Sequence, residues 1–474
     1  MSIVLGIDLA TAGARVRAVD AASGHTLGER RAPMAVTGAH GERTQPAVYA
    51  GVVRDLVRGV AADLGGRAGE VRALSITGTS GTVVPVDAHG VPVGDAVLYD
   101  DPRGAGHLRA LAEAGLGARP SAALARAAWM HGAAAGGVAR YVFSPDVVIA
   151  ALAGRLLPSD TSHALKSGID PVTAAWDAAA LAVVGMPRDH LPDLVGPGRV
   201  IGEVSRPADW GLPTGVVIVS GMTDGATGQI ATGAVREGDT VGVLGTTLVI
   251  KAVAPRDVVD AATGVYSHVA PDGLFWPGGA SNSGAGVLAS GITAGLDPAG
   301  HAERIAAVGP SAVVAYPLAR IGERFPIADP RFAGFSVSVP GAAAPADDPA
   351  ARFRTVYEGV AFVERFGLER LAGLGVERRR HHLAGGAAAS GVWNRIRATV
   401  LARTVIVSEG AGSAAGAAVL AAAALGGETI GVVAERFAGR RSTVDPDEAL
   451  RDPLEERYHL FCAALGRDGG ENPV

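Results

Sequence analysis

The chain has 474 residues, a length that allows two or three domains and a large buried core. Hydrophobic residues make up 48% of the chain but aromatic residues only 5%, so its apolar content is mainly Ala, Val and Leu. This composition excludes a disordered chain and suits helices packed on parallel strands. With 42 Lys and Arg against 47 Asp and Glu, the net charge is −5 and no basic stripe stands out, so we expect no nucleic-acid partner.

The cysteine content and the length of the apolar runs indicate the cellular location of the protein. Cys462 is the single cysteine, so the sequence predicts neither an intrachain disulfide nor a cysteine-based metal site. No basic leader precedes Asp8, and the longest run of small apolar residues, 414–425, is only about 12 residues long, well short of a membrane span. We therefore expect a cytoplasmic protein with no membrane partner.

The first part of the chain predicts alternating strands and helices. The expected strands are Ser2–Ile7, Ala14–Val19, Val71–Thr77 and Thr82–Asp87, and the expected helices are Val48–Leu64 and Gly106–Ala114. The strands should pair as two hairpins, with Asp8–Gly13 and Gly78–Gly81 as their turns. This alternation is typical of an α/β protein.

The second part repeats the opening pattern. Its expected strands are Val216–Val219, Asp239–Val243, Leu248–Val253, one that ends at Ala384, and Thr404–Val407; its expected helices are Phe353–Leu374, one that holds Trp393, and Ala414–Ala424. The strand, turn and strand around Leu244–Thr247 resemble the opening hairpin, so we expect a duplicated fold with two facing lobes. The boundary is placed near Arg236, which gives domains 1–236 and 237–474.

Two carboxylates stand where predicted strands run into turns rich in Gly, Thr and Ala. Asp8 follows the first strand, and Asp224 follows the strand that leads into Ser220–Gly225. Parallel-sheet proteins hold ligands at such strand ends, so either carboxylate is suited to bind Mg²⁺ or accept a proton. Asp is also a common turn former, and that plainer role stays open for each.

Turns that combine Gly and Thr offer backbone N–H groups and hydroxyls to phosphate oxygens without a lysine. Thr11 and the run Gly245-Thr246-Thr247 fit this requirement. Tight hairpins with no ligand explain the same residues. Arg15 either neutralises phosphate charge or is an exposed strand residue.

Motifs of other nucleotide-binding and metal-binding proteins are missing or incomplete. Neither of the two lysines, Lys166 and Lys251, follows a glycine, which excludes a GxxxxGK[ST] phosphate loop, and the absence of ordered HRD and DFG motifs excludes a protein kinase. Gly410–Gly416 has the spacing GxGxxxG, which close helix packing explains better than dinucleotide binding. The histidines show no paired metal-ligand spacing, and His381-His382 are expected to be structural or surface residues.

Five motifs, taken in order, resemble those of the FGGY carbohydrate kinases, a family of the actin, Hsp70 and sugar-kinase superfamily. They are Asp8–Arg15 (DxGTxxxR), Tyr99–Arg103 (WxDxR), Ser220–Asp224 (GGxD), Leu244–Thr247 (the second phosphate loop) and Gly385–Ser390 (GGAxxS). The resemblance covers nearly the whole chain. It implies an α/β fold of two ribonuclease-H-like, actin-like ATPase lobes with a nucleotide cleft between them.

The resemblance also implies an enzyme that transfers phosphate from ATP, with Mg²⁺, to a small sugar. Asp224 would be the general base that accepts the proton of the attacking hydroxyl, and Asp8 and Asp224 would hold the metal. The implied sugar-binding residues are Asp8, Thr79, Ser80, Asp101 and Asp224. The implied nucleotide-binding residues are Thr11, Arg15, Gly245, Thr246, Thr247, Gly385, Gly386 and Asn394.

Departures from the family pattern bear on the substrate. Ala10 replaces the usual Gly of the first motif, and Tyr99 replaces the usual Trp. Ser80-Gly81 stands where glycerol kinases have Arg-Glu and xylulose kinases have Met-His. The segments 76–82, 267–268, 278–282 and 316–326 look like the D-ribulose kinase branch. That likeness implies conversion of D-ribulose to D-ribulose 5-phosphate.

Other functions stay open at this point. Another pentulose or a polyol (xylulose, L-ribulose or ribitol) differs only in pocket detail, and the same fold serves nucleotide switches that have no sugar chemistry. The expected partners are a small-molecule sugar and ATP. The chain is expected to be a monomer or a homodimer.

Overall fold

The computed structural model describes residues 2–34, 45–134, 136–342, 348–410 and 412–468. The chain divides into two compact units. The first consists of Met1–Val235, His268–Trp276 and Ala411–Ala438, and the second of Arg236–Ser267, Pro277–Gly410 and Gly439–Val474. Two short segments from the second half of the sequence therefore belong to the first unit. The division of roles between a sugar-binding domain 1–236 and a nucleotide-binding domain 237–474 stays a prediction.

The strands are β1 (Ile3–Ala10), β2 (Gly13–Asp20), β3 (Thr26–Pro33), β4 (Val71–Gly78), β5 (Val83–Val86), β6 (Arg140–Phe143), β7 (Ser159–Asp160), β8 (Leu194–Val195), β9 (Val200–Glu203), β10 (Val217–Val219), β11 (Asp239–Leu244), β12 (Leu248–Ala252), β13 (Tyr266–Val269), β14 (Phe275–Ser281), β15 (Val313–Tyr316), β16 (Phe335–Ser338), β17 (Arg380–Ala384), β18 (Val405–Ser408) and β19 (Arg441–Val444).

The α-helices are α1 (Tyr49–Leu64), α2 (Ala105–Glu113), α3 (Ala122–Ala133), α4 (Ser144–Ala153), α5 (Thr161–Ala164), α6 (Ala178–Val184), α7 (Asp224–Thr232), α8 (Ala302–Ala307), α9 (Pro349–Gly373), α10 (Gly391–Val400), α11 (Ser413–Gly426), α12 (Ile430–Phe437) and α13 (Glu448–Asp468). Short 3-10 helices connect several of them.

A six-stranded sheet of order β3-β2-β1-β4-β10-β9 forms the centre of the first unit. β1 pairs antiparallel with β2 and parallel with β4, which in turn pairs parallel with β10. Ile3, Leu5 and Ile7 of β1 are all buried, as expected of a strand that helices cover on both faces. Helix α1 contributes Val53, Val57 and Val60, at helical spacing, to the same apolar core.

Helix α11 lies against β1 and α7 with almost no space between them. A Cβ at Gly6 of β1 would lie 1.8 Å from the carbonyl oxygen of Ala414, and one at Gly416 of α11 would lie 1.8 Å from that of Thr227. Only glycine permits such close backbone approach. The packing role predicted for the glycines of 410–416 is therefore confirmed at Gly416 but not at Gly410, where a Cβ would meet no atom within 4 Å.

A seven-stranded sheet of order β13-β14-β12-β11-β17-β18-β19 forms the centre of the second unit. Here β11 pairs antiparallel with β12 and parallel with β17, which pairs parallel with β18. The order β14-β12-β11-β17-β18 thus repeats the order β3-β2-β1-β4-β10. The predicted α/β class, with two sheet-containing lobes of repeated topology, is confirmed.

Two details of the sequence-based prediction are wrong. β5 pairs with β6 and not with β4, so 71–87 is not a second hairpin. β1 continues to Ala10, so Asp8 lies within the strand and only Thr11 and Ala12 form the turn. Among the described residues, no helix combines the length and apolar character that a membrane crossing requires.

Candidate active site

Three neighbouring parallel strands of the first unit end side by side. Leu9 of β1 pairs with Gly78 of β4, and Gly78 forms a bridge with Thr223 after β10. Asp8 is the residue before Leu9, and Asp224 is the residue after Thr223. The carboxyl edge of a parallel sheet is where open α/β proteins bind ligands. The topology therefore brings the two predicted carboxylates to one edge.

The environment of Asp8 confirms that the two carboxylates are close. Burial, followed by the negative charge of Asp224, raises the pKa of Asp8 to about 6, and Arg15 opposes this rise. The Asp8 Oδ1 atom is buried and has no hydrogen-bond partner within the described part of the chain. Two carboxylates that repel each other, one of them with a buried oxygen that has no partner, form a site suited to a cation.

Asp224 is the first residue of α7, where the positive end of the helix dipole favours a negative charge. Its Oδ1 accepts a hydrogen bond of 2.6 Å from the backbone N–H of Gly225. The Ser413 hydroxyl, at the start of α11, donates a 3.2 Å hydrogen bond to the Asp224 carbonyl oxygen. The α11 packing described above therefore supports the backbone that carries Asp224.

The loop after β4 carries the predicted sugar-binding hydroxyls. The Thr79 and Thr11 hydroxyl oxygens are 3.4 Å apart, which joins this loop to the turn of the first hairpin. The Ser80 and Thr82 hydroxyls are buried and have no hydrogen-bond partner among the described residues. Buried hydroxyls without partners are rare in folded proteins, and a polyhydroxylated ligand bound nearby is one way to satisfy them.

Asp101 lies next to this loop but is already paired. Arg103 donates hydrogen bonds of 3.0 and 2.7 Å to its Oδ2 atom. Burial alone would raise the pKa of Asp101, but these hydrogen bonds lower it. Arg126 joins the two segments, since its guanidinium lies 3.5 Å from the Asp101 carbonyl oxygen and 3.1 Å from that of Gly81. The carboxylate of Asp101 is therefore held by Arg103, and the loop after β4 is held beside it through Arg126.

Arg15 stands directly opposite Asp8 in the pairing of β1 with β2. Its Nε atom is 3.6 Å from a carboxylate oxygen of Glu29, and about a third of its side chain, 35%, is exposed. A Cβ at Gly412 would lie 3.5 Å from the Arg15 guanidinium. Arg15 is thus close to Asp8 and to the start of α11, and it retains an exposed face.

In the second unit, the glycines and threonines predicted to bind nucleotide lie together. Gly245-Thr246-Thr247 forms the turn from β11 to β12, and Gly245 donates a 3.1 Å backbone hydrogen bond to Thr247. Gly385, at the end of β17, has a φ of +89°, and a Cβ there would lie 2.5 Å from the Leu244 carbonyl oxygen. Glycine is required at this position both for its φ and for this close approach.

Asn394 completes this group from α10. Its Nδ2 donates a 2.7 Å hydrogen bond to the Ala388 carbonyl oxygen, which holds the side chain over the short helix that begins at Gly386. Its Oδ1 is buried without a partner among the described residues. The amide oxygen is therefore an acceptor that a ligand could use.

Several residues around these sites were not predicted from the sequence. Gly284 and Gly286 lie against Thr246, and backbone N–H groups of 285 and 286 donate to the carbonyl oxygens of Gly245 and Thr246 at 2.8 and 3.0 Å. The two glycines stand just beyond 278–282, a segment used above only for its likeness to the D-ribulose kinase branch. In the first unit, Ser162 contacts Thr223 after β10 and His163 contacts Gly78 at the end of β4, and no motif in the sequence pointed to them.

The described residues contain no cluster of three or more His, Cys, Asp or Glu that could hold a metal ion. Mg²⁺, however, commonly binds through only one or two carboxylates together with substrate phosphates and water. The buried, unpartnered Oδ1 of Asp8 beside Asp224 fits that requirement.

Two sheets of one repeated strand order, with ligand-binding residue types at their turns and strand ends, define the class of actin-like ATPase folds. Residues 3–231 match the N-terminal domain of the FGGY family of carbohydrate kinases, and residues 240–425 match its C-terminal domain. The chain therefore belongs to the FGGY family of carbohydrate kinases.

Individual relatives agree with this family. A xylulose kinase from Streptomyces rubiginosus is 30% identical over 276 residues, which are 54% of this chain and 56% of that protein. The match thus spans little more than half of this curated relative.

Among solved structures, a ligand-bound xylulose kinase from Lactobacillus acidophilus has a TM-score of 0.87 at 17% identity, over 98% of both chains. A gluconate kinase from the same organism has a TM-score of 0.86 at 17% identity, also over 98% of both chains. The two kinases are named for different sugars, so this likeness shows the fold and leaves the substrate open.

Proposed function

We propose that the protein is an ATP-dependent sugar kinase that transfers the γ-phosphate to a terminal hydroxyl of a ketopentose, with D-ribulose converted to D-ribulose 5-phosphate. The observation that carries this proposal is the convergence of Asp8 and Asp224 at one sheet edge, where their charges repel and Asp8 is strongly desolvated. Phosphoryl transfer requires alignment, charge neutralisation and one well-placed base, which such a pair supplies.

In this mechanism Asp224 accepts the proton of the attacking hydroxyl through a carboxylate oxygen. The helix end that begins at Asp224 favours its charged form, in which it can act as a base. Asp8 and Asp224 would hold Mg²⁺, which supplies neutralisation of phosphate charge when bound. Arg15, opposite Asp8 on the neighbouring strand, adds a positive charge for the same purpose.

Nucleotide binding is assigned to residues that present backbone N–H groups and short polar side chains. Thr11 of the first unit and Gly245-Thr246-Thr247 of the second would contact phosphate oxygens. Gly385 and Gly386 would allow the adenosine to approach the backbone, and the free acceptor of Asn394 would contact it. Binding in this manner requires no lysine.

The sugar is assigned to the loop after β4. The hydroxyls of Thr79 and Ser80 and the carboxylates of Asp8 and Asp224 offer hydrogen bonds to the hydroxyls of the substrate. Asp101 lies beside this loop, since Arg126 contacts the carbonyl oxygens of both Asp101 and Gly81. Ser80-Gly81 leaves no bulky side chain at this position, which favours D-ribulose over the substrates of kinases that place Met-His or Arg-Glu there. D-xylulose is the second candidate, because curated xylulose kinases are similar to this chain over about half its length.

Substitution of Asp224 separates a kinase from a nucleotide switch of the same fold. Asp224→Asn removes the base while keeping the side-chain size, so sugar-dependent ADP release should fall by about 10²- to 10⁴-fold. ATP binding, measured by calorimetry in the absence of sugar, should persist. Asp95→Asn, which changes an exposed carboxylate of the same unit, is the matched control and should behave as the wild type. Wild-type turnover by Asp224→Asn would refute the mechanism.

A further inference from the structure

One buried segment of the first unit contacts both strand ends that carry the proposed sugar-phosphorylation residues. It runs from β7 into α5, and every residue from Ser159 to Ala164 is buried. Neither the family motifs nor the proposed mechanism gives this segment a role. Its polar side chains make hydrogen bonds in two directions, one toward β4 and one toward β10.

His163 contacts the end of β4. Its backbone N–H and its Nδ1 lie 2.8 and 2.6 Å from the two carboxylate oxygens of Asp160, which caps α5. Its Nε2 lies 3.3 Å from the carbonyl oxygen of Gly78, the residue before Thr79 and Ser80. With Nδ1–H donated to Asp160, the ring donates to Gly78 through Nε2–H when it is an imidazolium.

The charges around His163 favour that doubly protonated ring. Burial alone would lower the pKa of His163, but the carboxylates of Asp160, Asp146 and Asp224 together raise it above its ordinary value. Asp160 and His163 have side-chain exposures of only 3% and 1%, so their ion pair is shielded from water and salt. A shielded, hydrogen-bonded pair holds its geometry more rigidly than a pair at the surface.

Ser162 contacts Thr223, in the turn that joins β10 to α7. Its hydroxyl oxygen accepts a 3.1 Å hydrogen bond from the backbone N–H of Thr223, the residue before Asp224. The same hydroxyl lies 2.8 Å from Nδ1 of His268, to which it can donate. Thr223 is the N-terminal capping residue of α7, and its own side chain makes no capping hydrogen bond. Ser162 therefore provides a side-chain acceptor at this helix start.

We propose that Ser162 and His163 are positioning residues, which hold the backbone before Asp224 and the backbone before Thr79 in one fixed geometry. The kinetic consequence rests on the proposed function, because it takes Asp224 as the base and Thr79 and Ser80 as sugar contacts. Misplacement of reacting groups by about 1 Å can lower a rate by as much as 10²-fold. Loss of either contact should therefore lower kcat more than it raises KM for ATP.

The test compares Ser162→Ala and His163→Leu with conservative variants. Ser162→Ala removes the acceptor of the Thr223 N–H and should lower kcat for the sugar by roughly 10- to 100-fold, with KM for ATP changed by less than about threefold. Ser162→Thr keeps the hydroxyl and should restore most of the rate. His163→Leu should act similarly, and His163→Gln, which keeps a donor, should be less impaired.

Ser167→Ala is the matched control. Ser167 is also buried and lies in the 3-10 helix Leu165–Ser167 that directly follows α5, but within the described residues it makes no hydrogen bond to Gly78 or Thr223. Its replacement by Ala should leave kcat at the wild-type level. If Ser162→Ala and Ser167→Ala have equal kcat at equal stability, the positioning role is wrong.

Amide hydrogen exchange at Thr223 separates this inference from the proposed function. Exchange at this amide should be faster in Ser162→Ala than in the wild type, whether or not a sugar substrate has been found. If no sugar stimulates the wild type, the proposed function fails, and faster exchange at Thr223 still supports the contact. Unchanged exchange at Thr223 would overturn the inference by itself.

Discussion

Asp8 combines several features that are unusual for a carboxylate with a purely structural role. It is a buried acid with a negatively charged neighbour, and one of its oxygens has no hydrogen-bond partner among the described residues. Each of these features costs free energy, since buried charges are normally paired. A residue that destabilises its own fold is a candidate for function, because ligand binding can offset the cost.

Replacement of Asp8 by Asn should therefore stabilise the ligand-free protein. The pKa of Asp8 is raised from 3.8 to about 6, so between these values the folded state binds more protons than the unfolded state, and the stability from this group falls as the pH rises. At pH 7 the charged form costs about 2–3 kcal/mol. Asp8→Asn should raise the free energy of unfolding at pH 7 by about 1–2 kcal/mol.

This effect should vanish below about pH 4, where Asp8 is protonated in both states. Urea denaturation without Mg²⁺ or nucleotide, repeated across this pH range, measures it. Asp95→Asn is the control and should show no such pH dependence. An Asp8→Asn protein that is less stable than the wild type at pH 7 would contradict the account of Asp8.

At the scale of single residues, the sequence predicted the carboxylates but not their supports. Asp8 and Asp224 stand in motifs whose order along the chain is informative. Ser162 and His163 act through backbone groups of Thr223 and Gly78, and such contacts require only a hydroxyl or a ring at the right place. Many sequences satisfy that requirement, so no local pattern marks it.

At the scale of elements, the close packing of α11 against β1 and α7 holds the site in position. The start of α11 contacts the Asp224 backbone through Ser413, so a displacement of this helix moves the proposed base. The sequence predicted helix α11 within two residues at either end. It could not predict that the helix belongs to the first unit, because that depends on packing between segments some 400 residues apart.

Added methyl groups at this contact should be costly. Gly416→Ala and Gly6→Ala each place a Cβ within 1.8 Å of a backbone carbonyl oxygen, so a helix or strand must shift. We expect each to lower the free energy of unfolding by about 1–3 kcal/mol and to lower kcat as well. Gly28→Ala, in β3, is the control because a Cβ there meets no atom within 4 Å. Denaturant titration that finds all three equally stable would contradict this packing.

A buried hydrogen-bond and ion-pair network holds the central sheet of the second unit to its helices. Glu364 of α9 accepts hydrogen bonds from Arg397, of which the one from Nε is 2.6 Å long, and lies 3.1 Å from Nε2 of His381. Arg397 also donates a 3.0 Å bond to the carbonyl oxygen of Gly242 in β11. The network thus joins two helices to the strand that leads into the Gly245–Thr247 turn. His381 is structural, which agrees with one of the two roles expected from the sequence.

This network should make acid stability depend on Glu364. Burial alone would raise its pKa, but Arg397 and His381 lower it to about 2 from an ordinary 4.5. Its contribution to stability is therefore complete above about pH 4.5 and is lost as the pH falls toward about 2. Glu364→Gln should cost about 3–5 kcal/mol at pH 7, with the difference from wild type shrinking as the pH falls through that range.

Thermal unfolding between about pH 7 and pH 2 measures this difference. Glu456→Gln, which changes an exposed acid of the same unit, serves as the control. A difference between wild type and Glu364→Gln that stays constant across this range would show that the carboxylate charge does not stabilise the network.

At the scale of the whole molecule, the sequence predicted a repeated α/β fold, and both sheets show the repeated order. The prediction failed for β5, which pairs with β6, because local strand and turn signals do not reveal which strand is the partner. Substrate choice is harder still to predict. It depends on a few hydrogen bonds around Thr79, Ser80 and Asp101, whereas the fold is shared by kinases named for xylulose and gluconate.

The central claim is sugar phosphorylation, and the most direct measurement is ADP and sugar-phosphate formation by the full chain with Mg²⁺ and ATP. D-ribulose, L-ribulose, D-xylulose, L-xylulose, ribitol, glycerol and gluconate are offered separately. We predict the highest kcat/KM with D-ribulose, at least about tenfold above the others, a difference of some 1.4 kcal/mol in transition-state binding. A preference for D-xylulose would keep the kinase and replace the substrate. ATP binding with no stimulation by any of these sugars would contradict the account.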